Sequence, residues 1–395
     1  MSPALIPVDE AMDRLLALVR PLDHETVAIG GAAGRWLASP AVAGRDQPPF
    51  DSSAMDGYAV AGNPEAGAIL RVIGESGAGH AFAGRIGPGE AARIFTGAPV
   101  PAGADRVIIQ ENTETLDSGD IRILVTSEGS NIRNRGEDFA AGTTLAPRRL
   151  RAADLTLLAA MNLPRVTVAR RPVVALIATG DELVMPGEEP RDDQIIASNG
   201  FALRAMAEAE GAEVRMLPIA RDTPQALRAV FGLAEGADVV VTIGGASVGD
   251  HDLVGPIARE LGIDLAFWKI AIRPGKPLMA GAMPDGGVML GLPGNPVSAI
   301  VCARVFLVPL LRALQGDPAP RPQPRLARLG ADLPGNGPRS HYMRARLSPD
   351  GATVTPFSRQ DSALITILSE ADALIIRPAG AHALAAGADV PYLPL

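Results

Sequence analysis

A single cysteine, Cys302, leaves no room for an intramolecular disulfide, a CxxC redox pair or a thiolate zinc site. Aromatic residues make up only 4% of the chain, too few for a base-stacking surface. Positive charge is also short: 36 Lys and Arg against 44 Asp and Glu leave a net charge of −8, which argues against nucleic acid as a partner. The longest apolar run, residues 297–311, is interrupted by Arg304 and Pro309 and is too short to cross a hydrocarbon core of about 30 Å. From Met1 to Glu10 there is neither a basic segment nor a continuous apolar core of the signal-peptide kind. These absences predict a cytoplasmic globular protein with no membrane segment, in which any anion site is a local cluster of cations.

What the chain has in abundance is glycine and proline, 43 and 35 residues, and hence turns and short strands. At 395 residues and 47% hydrophobic composition, two to four well-filled domains are expected. Residues 8–19 read as an amphipathic helix with Asp9 as N-cap, burying Leu15, Leu16, Leu18 and Val19, and ending before Pro21. From about 41 to 146 the pattern turns to short β-prone runs (68–73, 91–95, 106–110, 121–125), and a second helix is expected over 152–161.

From residue 173, uninterrupted apolar runs (173–178, 213–219, 238–243) alternate with helical segments (200–210, 224–235, 252–261), the pattern of a parallel α/β sheet. Residues 265–272 and 288–290 continue the sheet, and 297–314 close it as a long helix. The proline-rich stretch 317–324 reads as a linker, and the turn-rich remainder as a small β-barrel or sandwich. The predicted fold is multidomain α/β plus β. Its domains are 1–44 with 147–172 as a discontinuous linker domain, 45–146 as a mostly β insert, 173–316 as the α/β domain and 317–395 as the C-terminal domain.

Ligands bind parallel sheets at the carboxyl ends of the strands. The loops there are 179–182, 221–224, 244–252, 273–276 and 291–296. Gly244 and Gly245 allow close approach to a phosphate, and the Pro293-Gly294-Asn295-Pro296 turn offers backbone N–H groups before a helix. It is no Walker P-loop, because the Gly-Lys-Ser/Thr ending is missing. Lys269 and Arg273 alternate, so a strand would put both on one face, with Lys276 arriving from the next turn as part of an anion site. Asp222 before Thr223-Pro224 reads by itself as a helix start, and Asp181-Glu182 as either a solvated turn or a site. His251, between Asp250 and Asp252, reads as a loop histidine, and Cys302 as core.

The segments 46–59 (Asp-Gln-Pro-Pro-Phe-Asp-Ser-Ser-Ala-Met-Asp-Gly-Tyr-Ala) and 95–105, with Arg135-Gly136-Glu137-Asp138, 179–183, 245–249 and Pro274-Gly275-Lys276-Pro277, resemble the MoeA family in order along the chain. These are the molybdopterin molybdenumtransferases. The resemblance implies insertion of molybdate into adenylylated molybdopterin with release of AMP, assisted by Mg²⁺. It implies an elongated homodimer whose domains are a linker, a β domain, an α/β domain like the pterin adenylyltransferases and a C-terminal β-barrel. The site would lie between the α/β domain of one subunit and the β domain of the other.

By motif, Asp56, Thr96 and Asp138 would come from the partner, and Glu182, Asp222 and Asp252 would line the α/β pocket as catalytic and metal-holding carboxylates. Gly244, Gly245, Ser247, Lys269, Arg273, Lys276, Pro293, Gly294, Asn295 and Ser298 would bind substrate, completed by Arg344 and Ser362 from the C-terminal domain. Partner proteins would be a pterin adenylyltransferase and molybdoenzyme maturation proteins. Arg273 stands where many members have lysine, the segment after Asp252 is longer than usual so that Asp250 competes for its place, and Arg339 rivals Arg344. Competing readings are pterin adenylyl transfer, disfavoured by the β insert, a non-catalytic gephyrin-like scaffold, disfavoured by the retained acids and cations, and a metal-dependent phosphohydrolase.

Overall fold

The computed structural model describes residues 5–245 and 253–395. The chain divides into two units: one comprises the N-terminal segment to Glu25, Gly34–Trp36 and Ala169–Leu395, the other Thr26–Ala33 and Leu37–Val168.

In the first unit, helix α1 (Val8–Ala17) starts at the expected residue and ends two residues early, but Pro7, not Asp9, holds the N-cap position, and no side chain caps it. Asp9 and Glu10 lie in its first turn, where the helix dipole favours acids. Val8, Ala11, Met12 and Leu15, at helical spacing, join the core of the α/β sheet rather than the core formed by residues 147–172.

The α/β part runs β1 (Val173–Ala178), α2 (Asn199–Ala209), β2 (Glu213–Met216), α3 (Pro224–Leu233), β3 (Val239–Ile243), α4 (Val254–Glu260), β4 (Asp264–Trp268), β5 (Ile272–Arg273), β6 (Met279–Ala282) and β7 (Val288–Leu292). The sheet order is β2-β1-β3-β7-β6-β4. The first four strands are parallel, and every residue of β3 and β7 is buried, as continuous apolar runs require. Strands β6 and β4 run antiparallel, so the sheet is mixed rather than wholly parallel. The turn through Asp285-Gly286 between β6 and β7 is too short for a crossover, and the hairpin follows.

The next helix is continuous over Pro296–Leu314, built as α5 (Pro296–Cys302), a π-helical turn (Ala303–Leu307) and α6 (Val308–Leu314). The widened turn lies just before Pro309, whose ring cannot sit in a regular α-helix interior. Contrary to the sequence expectation, this helix is long and apolar enough to cross a membrane by length and composition. However, 78% of its apolar window is buried inside the protein, as in a core helix.

Strands β8 (Arg325–Leu329), β9 (Ser340–Leu347), β10 (Thr353–Pro356), β11 (Ala373–Arg377) and β12 (Asp389–Pro394) close in the order β9-β10-β8-β12-β11, with β11 pairing back onto β9. This is a barrel and not a sandwich. Strand β5 adds to it from outside, parallel to β9.

The second unit holds a six-stranded sheet in the order Arg106–Ile109, Gly57–Val60, Glu90–Ile94, Ile69–Ser76, Ile121–Ile123, Thr113–Thr115. A separate core joins Leu37, Ala41 and Ala43 to Phe139, Leu145, Leu158 and Val166, and includes the helix Ala152–Ala160.

Candidate functional site

A cleft of about 640 Å³ opens at the carboxyl ends of β1, β3 and β7. Its walls include Gly180 and Glu182 after β1, Asp222 before α3, Gly244 and Gly245 after β3, and Pro293, Gly294 and Asn295 after β7. Four of the five predicted loops therefore meet here, and from the fifth only its neighbour Pro277 does.

Glycine is demanded at two of these turns. Gly180 has φ +149°, and a Cβ on it would lie 2.4 Å from Oε2 of Glu182, so this residue lets the carboxylate lie against the main chain. Gly245 has φ +59°, and a Cβ there would strike Val254 at 2.4 Å. The loops are also tied to one another. Arg221 donates to the carbonyls of Asp181 and Leu183 at 2.8 and 3.2 Å, and the Asp222 N–H to Oδ1 of Asp181 at 3.2 Å. Glu182 and Asp222 are thereby held on one rim, both exposed.

Sequence reading missed Ser198 and Asn199. Both line the cleft at the start of α2, and Nδ2 of Asn199 donates to the carbonyl of Gly294 at 2.7 Å, clasping the opposite turn. The Ser-Asn-Gly triplet ahead of a helical run was the available signal. Oδ1 of Asn295 is buried in the cleft wall with no partner among the described residues, an acceptor left for a ligand N–H or hydroxyl.

The predicted cations are not gathered into this cleft. Lys269 has φ +71°, so the chain turns there and the strand that would align it with Arg273 does not form. Arg273 instead lines a second cavity beside the barrel, while exposed Lys276 and half-buried Lys269 line neither. Ser298 is 5% exposed in α5 and is absent from the cleft lining. Arg344 is 1% exposed, and its guanidinium donates to the carbonyls of Leu364 and Asp361 at 3.0 and 2.8 Å. It clamps the 361–364 loop, from which the Ser362 carbonyl accepts the Val297 N–H and Ala363 reaches the cleft. Ser247, Asp250, His251 and Asp252 lie outside the described residues.

Among the described residues no group of three His, Cys, Asp or Glu side chains is placed to hold a metal ion. Glu182 and Asp222 are still an oxygen-donor pair of the kind Mg²⁺ takes, because this ion uses one or two carboxylates and completes its shell with water and substrate phosphates. Cys302 is fully buried and burial pushes its thiol far above its ordinary pKa, so it is core and not a nucleophile.

In the second unit Oδ1 of Asp56 accepts from both the N–H and the hydroxyl of Thr96, at 2.7 and 2.8 Å. These bonds, with Arg93 nearby, hold the carboxyl below its ordinary pKa. The Arg93 guanidinium lies over the rings of Tyr58 and Phe95, 5.1 and 4.9 Å from their centres, and donates to Gly57 and Gln110. Asp138 is exposed, its N–H held by the carbonyl of Gln47 at 2.9 Å. Asp46 and Asp51 of the same motif bind Arg135 and the main chain, so part of the motif's acidity holds its own loops together.

Comparison with known proteins covers both units. The MoeA N-terminal region (domain I and II) matches residues 6–162, a probable molybdopterin binding domain matches 175–313, and the MoeA C-terminal region (domain IV) matches 326–395. A molybdopterin molybdenumtransferase of Nostoc sp. is 37% identical over 391 residues, 94% of this chain and 89% of that protein. The Staphylococcus aureus protein of the same name is 32% identical over 399 residues, covering 98% and 95%. Two solved structures of Pyrococcus molybdopterin biosynthesis MoeA protein superpose with TM-scores of 0.81 and 0.85 at 32% and 25% identity, each over 99% of this chain and 99% and 100% of theirs. With the cleft, the barrel and the β unit all matched in order, the chain belongs to the MoeA family of molybdopterin molybdenumtransferases.

Proposed function

We propose that this protein inserts molybdate into adenylylated molybdopterin, breaking the phosphoanhydride bond to AMP and leaving molybdenum on the dithiolene sulfurs. The observation that carries this reading is the cleft itself. Glycine turns, a helix start and two carboxylates meet at the ends of parallel strands, in a chain similar over its whole length to molybdopterin molybdenumtransferases. Backbone N–H groups at Gly245 and Gly294 would receive the phosphates, the Gly244 N–H being taken by the Leu292 carbonyl, and Oδ1 of Asn295 an N–H of the pterin.

Glu182 and Asp222, with Asp252, would hold Mg²⁺. When bound, that ion neutralises charge on the phosphoanhydride oxygens as AMP departs. Lys276, Arg273 and Lys269 supply cations outside the cleft wall for the incoming molybdate. Ser298 and Ser362 border the same turn, while Arg344 positions the loop carrying Ser362. Asp56, Thr96 and Asp138 complete the site of the other subunit in a homodimer, with Thr96 orienting the Asp56 carboxylate. The protein works in the cytoplasm, receives its substrate from a pterin adenylyltransferase and passes its product to molybdoenzyme maturation proteins.

The test is AMP release from purified adenylylated molybdopterin, with and without molybdate and Mg²⁺. Stoichiometric release that requires both is the expected result. Adenylylation of free molybdopterin by ATP with no molybdate-dependent AMP release would replace this reading with pterin adenylyl transfer.

A further inference from the structure

The second cavity, about 440 Å³, lies at the mouth of the C-terminal barrel. Three strands meet there in one register row: Arg273 of β5 stands opposite His341 of β9, and His341 opposite Arg377 of β11. Residues directly opposite across a sheet are near neighbours, and like charges there repel. His341 and Arg377 sit on the strand faces that also carry Met343, Ala345, Ala373 and Ile375, which line the barrel core. Arg344 faces the other way, toward the 361–364 loop, of which only Asp361 also lines this cavity.

Arg377 is 2% exposed. Its Nη2 donates to the carbonyls of Pro334 and His382, but Nε and Nη1 have no partner among the described residues. Buried guanidinium groups normally pair with a carboxylate, and one left unpaired is strongly destabilising. Among the described residues the one carboxylate in the lining, Asp361, is exposed and accepts the N–H of Ala363. His341 is held neutral, its pKa pushed down to about 4 first by burial and then by Arg273, Arg339, Arg344 and Arg377. Protonation would add another cation to the row, so the histidine does not supply the missing negative charge.

We propose that the barrel mouth binds a small tetrahedral oxyanion, with Arg377 at its floor, Arg273 at its rim and His341 between them. Guanidinium groups match the oxygen spacing of such anions, and the burial of Arg377 keeps water from screening its charge. Sulfate, phosphate and molybdate share this chemistry. His341 and Arg377 belong to the barrel and take no part in the reaction assigned to the cleft, while Arg273 is the one residue shared with the cations assigned there to the incoming molybdate.

The test is calorimetric titration of the full-length protein, in chloride buffer, with sodium sulfate, phosphate and molybdate separately. Saturable binding of sulfate is expected, weakened at least tenfold by Arg377→Met. Because Arg377 also holds two carbonyls, Ser358→Asp is the companion variant. Ser358 is exposed on the cavity rim, and a carboxylate there should weaken sulfate at least tenfold while leaving the thermal midpoint unchanged. Molybdate binding tighter than sulfate would identify a holding site for the metal-oxo substrate, and equal affinity a general oxyanion site. No saturable sulfate binding overturns the proposal. So does sulfate binding that survives Ser358→Asp but is lost in Lys276→Ala, which would assign the ion to the Lys276 turn rather than the barrel mouth.

Discussion

Asp56 and Thr96, forty residues apart in sequence, share two hydrogen bonds on one carboxyl oxygen, from the Thr96 main chain at 2.7 Å and its hydroxyl at 2.8 Å. A carboxylate that accepts two donors is favoured in its charged form, and its pKa is lowered. The bond-derived stabilisation is present above the unfolded-state pKa and lost as pH falls through the lower folded value. Thr96→Val removes the hydroxyl donor only. The Asp56 carboxyl should then titrate closer to its ordinary value, read by carbon-13 NMR, and an unmoved titration would show the hydroxyl contributes nothing.

The homodimer with a shared site, proposed above, predicts complementation. Asp56→Ala and Glu182→Ala homodimers should each be inactive, while confirmed heterodimers should recover one working site of two, roughly half of wild-type activity, because one interface keeps both carboxylates. Inactive heterodimers would place both residues in the site of one subunit.

Glu182→Gln is nearly isosteric and leaves the Arg221 and Asp222 ties untouched. It should keep the fold and pterin binding while lowering Mg²⁺-dependent AMP release at least about tenfold, roughly 1.4 kcal/mol of transition-state stabilisation. Wild-type release rates would reduce Glu182 to a turn residue.

Gly57 tests why the Met55-Asp56-Gly57-Tyr58 motif carries glycine. A Cβ there would lie 1.9 Å from the carbonyl oxygen of Ile108 on the neighbouring strand, and a backbone atom cannot swing aside. Gly57→Ala should destabilise the second unit by about 3 kcal/mol, the upper range for overpacking. Urea denaturation showing less than about 1 kcal/mol of change would mean the strands separate at little cost.

His341 predicts an acid sensitivity. Its folded pKa of about 4 lies below the ordinary 6.5, so between these values the unfolded chain binds a proton that the native chain does not. Stability therefore rises with pH across that window and falls on acidification. His341→Gln should remove this component, on the order of 1–2 kcal/mol at pH 5, visible as a flatter dependence of the denaturation midpoint on pH. An unchanged pH profile in that variant would show that His341 titrates normally.

Local chemistry made much of this protein readable before any fold. The apolar runs of β1 and β3 announced buried parallel strands because both faces had to be covered, and the glycines at 180, 244 and 245 announced turns because only glycine tolerates those conformations at such close approach. The motif around Asp56 fixed the family for a similar reason: Gly57, Asp46 and Asp51 are held by the packing and hydrogen bonds of that one loop system. What sequence could not decide was every relation set by distant partners. Alternation aligned Lys269 with Arg273, but a left-handed turn at Lys269 separates them, since the next strand pairs with the barrel and not with its predecessor. Helix α1 was legible as a helix, yet which core receives its apolar stripe depends on surfaces formed by residues hundreds of positions away. The row Arg273–His341–Arg377 joins three strands through long-range register, and no local pattern encodes register between strands so far apart; only closure of the barrel brings those charges together.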